Sequence, residues 1–108
     1  WATWCGPWLS AMKVAEPVKE EFSDKDVIFL YLAAEDSPFG TWQQKIREIK
    51  GEHYRVTQDQ WRYWSKKFKI EGIPSYMVIG KDGNPVHFQI GFMGAEKMKE
   101  LLSTELVK

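Results

Sequence analysis

An α/β fold, with a mixed sheet flanked by helices, is predicted by three features of this 108-residue sequence. Val27-Ile28-Phe29-Leu30-Tyr31-Leu32-Ala33-Ala34 is an almost unbroken apolar run, as expected of a strand covered on both faces in a parallel sheet. Tyr76–Ile79 and Val86–Ile90 are short β-prone runs around Asp82-Gly83, the pattern of an antiparallel hairpin. Around them, apolar residues recur at helical spacing in separate segments.

Taken in order, the first helix is expected over Pro7 to Phe22. Leu9, Met12, Ala15 or Glu16, and Val18 or Lys19 mark its inner turns, and Pro7 stands near the first helical position, where a missing N–H costs nothing. Pro17 falls inside it and predicts a kink between Lys13 and Pro17. After the polar break Ser23-Asp24-Lys25-Asp26 comes the Val27–Ala34 strand, ended by Glu35-Asp36-Ser37-Pro38. Thr41 with Gln44 three residues on reads as a capping box for a short second helix carrying Trp42, Ile46 and Ile49. Gly51 to Val56 is a connector with room for a brief extended segment. Thr57 and Gln60 repeat the capping pattern, and Trp61, Trp64 and Phe68 line one side of a third helix. The hairpin follows Gly72-Ile73-Pro74, and Gly94 to Leu106 closes the chain as a helix with Met98, Leu101, Leu102 and Leu106 inward.

A strand that feeds the first helix is absent, since only Trp1 to Thr3 precede the turn into it. We therefore expect the 108 residues to be one domain, the C-terminal part of a longer polypeptide, or a fold to which a neighbouring chain adds a strand.

Composition excludes several functions. Fifteen basic residues balance fifteen acidic ones, so no global field draws the chain to nucleic acid or an anionic membrane. No apolar run approaches the roughly 18 residues of a membrane-spanning helix. His53 and His87 lack companion ligands, so neither a metal nor another cofactor is expected. Trp42, Trp61 and Trp64 are expected to pack inward from helix faces.

Chemistry concentrates in Trp1-Ala2-Thr3-Trp4-Cys5-Gly6-Pro7-Trp8. Cys5 is the one cysteine of the chain, and it stands at a helix start, where free N–H groups and the dipole stabilise a thiolate. Dithiol exchange requires a second sulfur three residues on to displace the mixed disulfide. Trp8 occupies that position.

Trp4-Cys5-Gly6-Pro7, the proline-bearing helix, Ile73-Pro74 before a hairpin and Gly91 before the last helix together resemble the thioredoxin superfamily. The set is similar in particular to bacterial thiol-disulfide interchange proteins of the TlpA/ResA type. The resemblance implies a thioredoxin-like fold and a periplasmic or otherwise extracytoplasmic setting. It also implies a cis peptide at Pro74 opposite Cys5, and protein or peptide substrates with disulfides or thiols, bound as an added strand.

Two readings follow. In the first, Cys5 is the nucleophile of a monothiol exchange completed by an external monothiol or by a thiol of the substrate. In the second, Trp4, Gly6, Pro7, Ile73, Pro74 and Phe92 form a groove that binds peptides without turnover. Trp8, one turn from Cys5, is expected to cover part of the sulfur and to share that groove. Glu35 and Asp36, at the carboxyl end of the strand, are either loop charges or a route for a proton to or from Cys5, with Glu35 the candidate.

Overall fold

The computed structural model describes residues 1–108. Its elements are α1 (Gly6–Glu21), β1 (Leu30–Ala34), α2 (Phe39–Ile46), β2 (Glu52–Val56), α3 (Gln58–Phe68), β3 (Ser75–Ile79), β4 (Pro85–Ile90) and α4 (Ala95–Leu106). The strands form two separate pairs. β1 and β2 run parallel, with Leu30 opposite Glu52 and Ala34 opposite Val56. β3 and β4 are antiparallel, from Ser75 opposite Ile90 to an irregularity between Val78 and Ile79. No ladder joins the two pairs, and no strand precedes α1. Instead, the main-chain nitrogen of Trp1 donates to the Leu32 carbonyl at 2.9 Å, so the first residues lie against β1.

β1 corrects the expected Val27–Ala34 strand. It begins at Leu30, because its partner β2 begins at Glu52 and only five residue pairs can form a ladder. Ile28 and Leu30 are exposed rather than covered on both faces, since apolar composition specifies a buried strand only where neighbours exist to bury it. β2 is the brief extended segment allowed for in the Gly51–Val56 connector, and it spans Glu52–Val56.

α1 matches its expected span within a residue at each end and runs through Pro17. Its inward face carries Trp8, Ala11, Met12, Ala15, Val18 and Lys19, a spacing that keeps one stripe on the core. Lys19 is buried only because its ammonium is held: it donates to the Lys50 carbonyl at 2.7 Å and to Glu16 Oε1 at 3.0 Å. It also sits 4.9 Å from the centre of the Tyr31 ring.

α2 begins at Phe39, two residues before Thr41, which therefore caps nothing; Trp42 N–H bonds the Pro38 carbonyl at 2.8 Å instead. α3 forms the expected box: Gln60 N–H donates to Thr57 Oγ1 at 3.1 Å, and Thr57 N–H to Gln60 Oε1 at 2.9 Å. Trp42, Trp61 and Trp64 are half-buried, and Phe68 stays exposed. Gly94, at φ 88°, caps α4. No helix is long and apolar enough to cross a membrane.

Candidate active site

Residues Trp1 to Cys5 make a tight turn into α1. Cys5 N–H donates to the Ala2 carbonyl at 3.0 Å, and Thr3 N–H donates to Ser37 Oγ at 3.1 Å. Ser37 is completely buried. Its carbonyl accepts from Arg55 Nε at 3.0 Å and its N–H bonds the Ala34 carbonyl, so one serine ties the turn, the end of β1 and β2 together.

Cys5 is the N-cap of α1, with φ −84° and ψ 99°; no side chain caps that end and no acidic residue lies in its first turn. The uncompensated N–H groups there favour negative charge at the sulfur's position. The thiol is free and 5% exposed, in a cluster with Trp1, Ala2, Trp8, Met12, Ala15 and Ala33. Ile73, Tyr76 and Phe92 pack against that cluster from the hairpin side. Gly6 and Pro7 are exposed, Pro74 is buried, and Ile73 and Phe92 are half-buried. The Ile73–Pro74 peptide is cis. The Pro74 carbonyl accepts from Gly91 N–H at 2.7 Å, whereas the N–H and C=O of Ile73 have no partner within the chain.

Trp4, 61% exposed, is the outer wall of a hollow of about 270 Å³ that Asp36, Trp61, Glu71 and Ile73 also line. A larger hollow of about 440 Å³ lies at the other end of α1, among Glu16, Lys19, Lys50 and Glu52, away from Cys5.

Comparison with known proteins agrees with this geometry. A thioredoxin from Staphylococcus aureus (strain Mu50 / ATCC 700699) is 30% identical over 106 residues, which span 98% of this chain and 77% of that protein. The chain belongs to the thioredoxin superfamily. A thioredoxin from Staphylococcus saprophyticus is 28% identical over the same coverage. The thioredoxin-like fold is also that of a crystal structure described as a thiol:disulfide interchange protein DsbE from Chlorobium tepidum. The two agree with a TM-score of 0.69 at 19% identity, over 99% of this chain and 73% of that one. No protein-family profile matches the chain.

Within this thioredoxin-like frame, one expectation needs correction. Trp8 does not share the groove: it is 2% exposed, stacked on Trp1 with ring centres 4.1 Å apart and edge-on to Tyr31 at 6.3 Å. Its position on the inward stripe of α1, with Ala11 and Ala15 leaving room beside it, turns the indole into the core. Glu35 is engaged elsewhere. Its Oε1 accepts from Gln58 N–H at 3.1 Å, which places the carboxylate at the positive end of α3. Its neighbour Asp36 lines the hollow with Trp4 and Ile73.

Sequence reasoning passed over Tyr76. Its hydroxyl is buried with no hydrogen-bond partner in the chain, and burial, followed by charge on Cys5, pushes its pKa up to about 12. That coupling places a neutral O–H donor within electrostatic reach of the sulfur. The available signal was its place two residues after Pro74 in a strand whose alternate side chains share a face.

Burial also raises the Tyr31 pKa, with charge on Glu16 and Tyr76 adding to it. In the unfolded chain both phenols ionise near pH 10. Between that pH and the folded values the native state holds protons that the unfolded state releases, so stability falls as pH rises. Unfolding followed by circular dichroism should therefore set in above about pH 10. Tyr31→Phe and Tyr76→Phe should each move the onset to higher pH.

Proposed function

We propose that this chain is a thiol-disulfide interchange protein of the TlpA/ResA type that works with one sulfur. The observation that carries this reading is a free cysteine at an uncapped helix N-terminus, in a cluster against which Ile73, with its main chain unpaired, packs. An extended substrate segment adds to the Ile73 backbone as a strand and brings its disulfide to Cys5. The Cys5 thiolate attacks one sulfur of that disulfide, the S–S bond breaks, and the other substrate sulfur leaves as a thiolate. The chain has no second cysteine. An external monothiol of the glutathione class then attacks the substrate sulfur of the mixed disulfide and releases the Cys5 thiolate, and a second monothiol displaces the first from the substrate as a disulfide, leaving two substrate thiols; attack by a different thiol of the substrate instead gives a rearranged substrate disulfide. The family setting that accompanies this type is bacterial and extracytoplasmic.

Reduction of a protein disulfide is the test. With added monothiol the chain should outpace Cys5→Ser at least tenfold, and without it turnover should stop after one equivalent. Equal rates for the two proteins under both conditions would remove the catalytic reading.

The near-complete burial of Cys5 favours a second reading, in which Trp4, Gly6, Pro7, Ile73, Pro74 and Phe92 hold a peptide without turnover. Crosslinking separates the two. Partners retained equally by Cys5→Ala belong to a binding module, and partners trapped only through a disulfide to Cys5 belong to an exchange protein.

A further inference from the structure

The hollow between Trp4 and Ile73 has a composition that selects a charge. Its walls include two indoles, Trp4 and Trp61, and two exposed carboxylates, Asp36 and Glu71. Neither carboxylate forms an ion pair with any lysine or arginine of the chain. Arg55 comes near, but its guanidinium donates to the carbonyls of Ser37 and Glu35, on either side of Asp36, and makes no ion pair with the Asp36 carboxylate. A hollow with π faces and unneutralised negative charge attracts a cation and disfavours an anion.

Ile73 decides where that cation comes from. It lines the same hollow, and its N–H and C=O are the unpaired main-chain groups of the site. A polypeptide strand paired there projects alternate side chains to one face, so one of them enters the hollow while its neighbours remain outside.

We propose that this hollow is a specificity pocket for a lysine or arginine side chain of the substrate, close in sequence to the half-cystine that Cys5 attacks. This proposal rests on the exchange reading for the identity of the partner, but the pocket can be tested without it. The carboxylates offset the ammonium or guanidinium charge, and the indoles cover its aliphatic stem and face its cationic end. Acidic segments are rejected by the same groups.

The probes are disulfide-bearing peptides identical except for one residue, Lys, norleucine or Glu, placed in turn at each of the two positions on either side of the half-cystine. Binding to Cys5→Ser is read by tryptophan fluorescence. At one of these positions the Lys peptide should bind about tenfold more tightly than the norleucine peptide at low salt. The Glu peptide should bind more weakly than either. The Lys-to-norleucine ratio should fall toward one at high salt, in Asp36→Asn/Glu71→Gln, and in Trp61→Ala. Equal affinities for Lys and norleucine at every position overturn the pocket. Rates of mixed-disulfide formation on the unsubstituted protein test the other premise. If no peptide reacts while the Lys preference persists in binding, the pocket stands and the exchange reading fails. If all react without regard to charge, the exchange reading stands and the pocket fails.

Discussion

Replacing Trp8 with cysteine should supply the missing sulfur and at the same time cost about 3 kcal/mol of stability, within the range of large-to-small core substitutions. The cost comes from where Trp8 lies. It is 2% exposed, and its stack on Trp1, at 4.1 Å and 18° between planes, adds to the apolar area it buries. A cysteine leaves most of that volume empty, and Ala11 and Ala15 on the same stripe are too small to fill it. Yet residues three apart on a helix have Cβ atoms about 5–6 Å apart, close enough for modest adjustment to bring two sulfurs together. The introduced thiolate can then attack the Cys5 sulfur of the mixed disulfide, releasing the substrate thiol and forming an internal disulfide. Denaturant titration of the reduced protein should show the loss of stability, with Trp8→Ala at least as unstable. Protein-disulfide reduction driven by a dithiol reductant should rise at least tenfold over the parent. A stable Trp8→Cys protein would contradict the core role of the indole, and a folded but inactive one would contradict the exchange framework around Cys5.

Gly51→Ala should lower stability by about 3 kcal/mol, from positive-φ strain together with steric overlap. Gly51 has φ 144°, and a Cβ built there lies 2.7 Å from the Phe29 carbonyl oxygen and 2.6 Å from Tyr31 Cε2. The oxygen cannot swing aside, because it accepts the 2.9 Å bond from Glu52 N–H that starts the β1–β2 pairing. Tyr31 has little freedom either, since it is stacked on His53 at 4.8 Å and touches Trp8 edge-on. The strain therefore passes through Tyr31 toward the cluster beneath Cys5. A lower unfolding midpoint with altered tryptophan fluorescence is the expected result. An unchanged midpoint would show that the loop before β2 yields more readily than its contacts imply.

Why Trp8 was misplaced by sequence reasoning shows how far such reasoning reaches. Its i, i+3 relation to Cys5 is correct, but helical spacing says only that two residues share a face, not whether that face meets solvent or core. The alanines at positions 11 and 15 were a usable signal, because small residues on one stripe mark close approach. Glu35 and Asp36 are adjacent, and nothing local distinguishes the one that caps α3 from the one that lines the hollow. The strand ends failed for a related reason: β1 is as long as β2 permits, and pairing length belongs to two segments rather than one.

Local chemistry determined the order of the four helices and of the strands other than β2, the capping box at Thr57, the hairpin around Gly83 and the solitary cysteine at a helix start. Each depends on interactions within a few residues, which a linear pattern contains. Tertiary structure alone decided that Trp8 belongs to the interior, that Tyr76 packs against the cluster around Cys5, and that Trp4, Asp36, Trp61 and Glu71 surround one space. Those outcomes depend on distances between segments far apart in the chain, and such distances are set by packing.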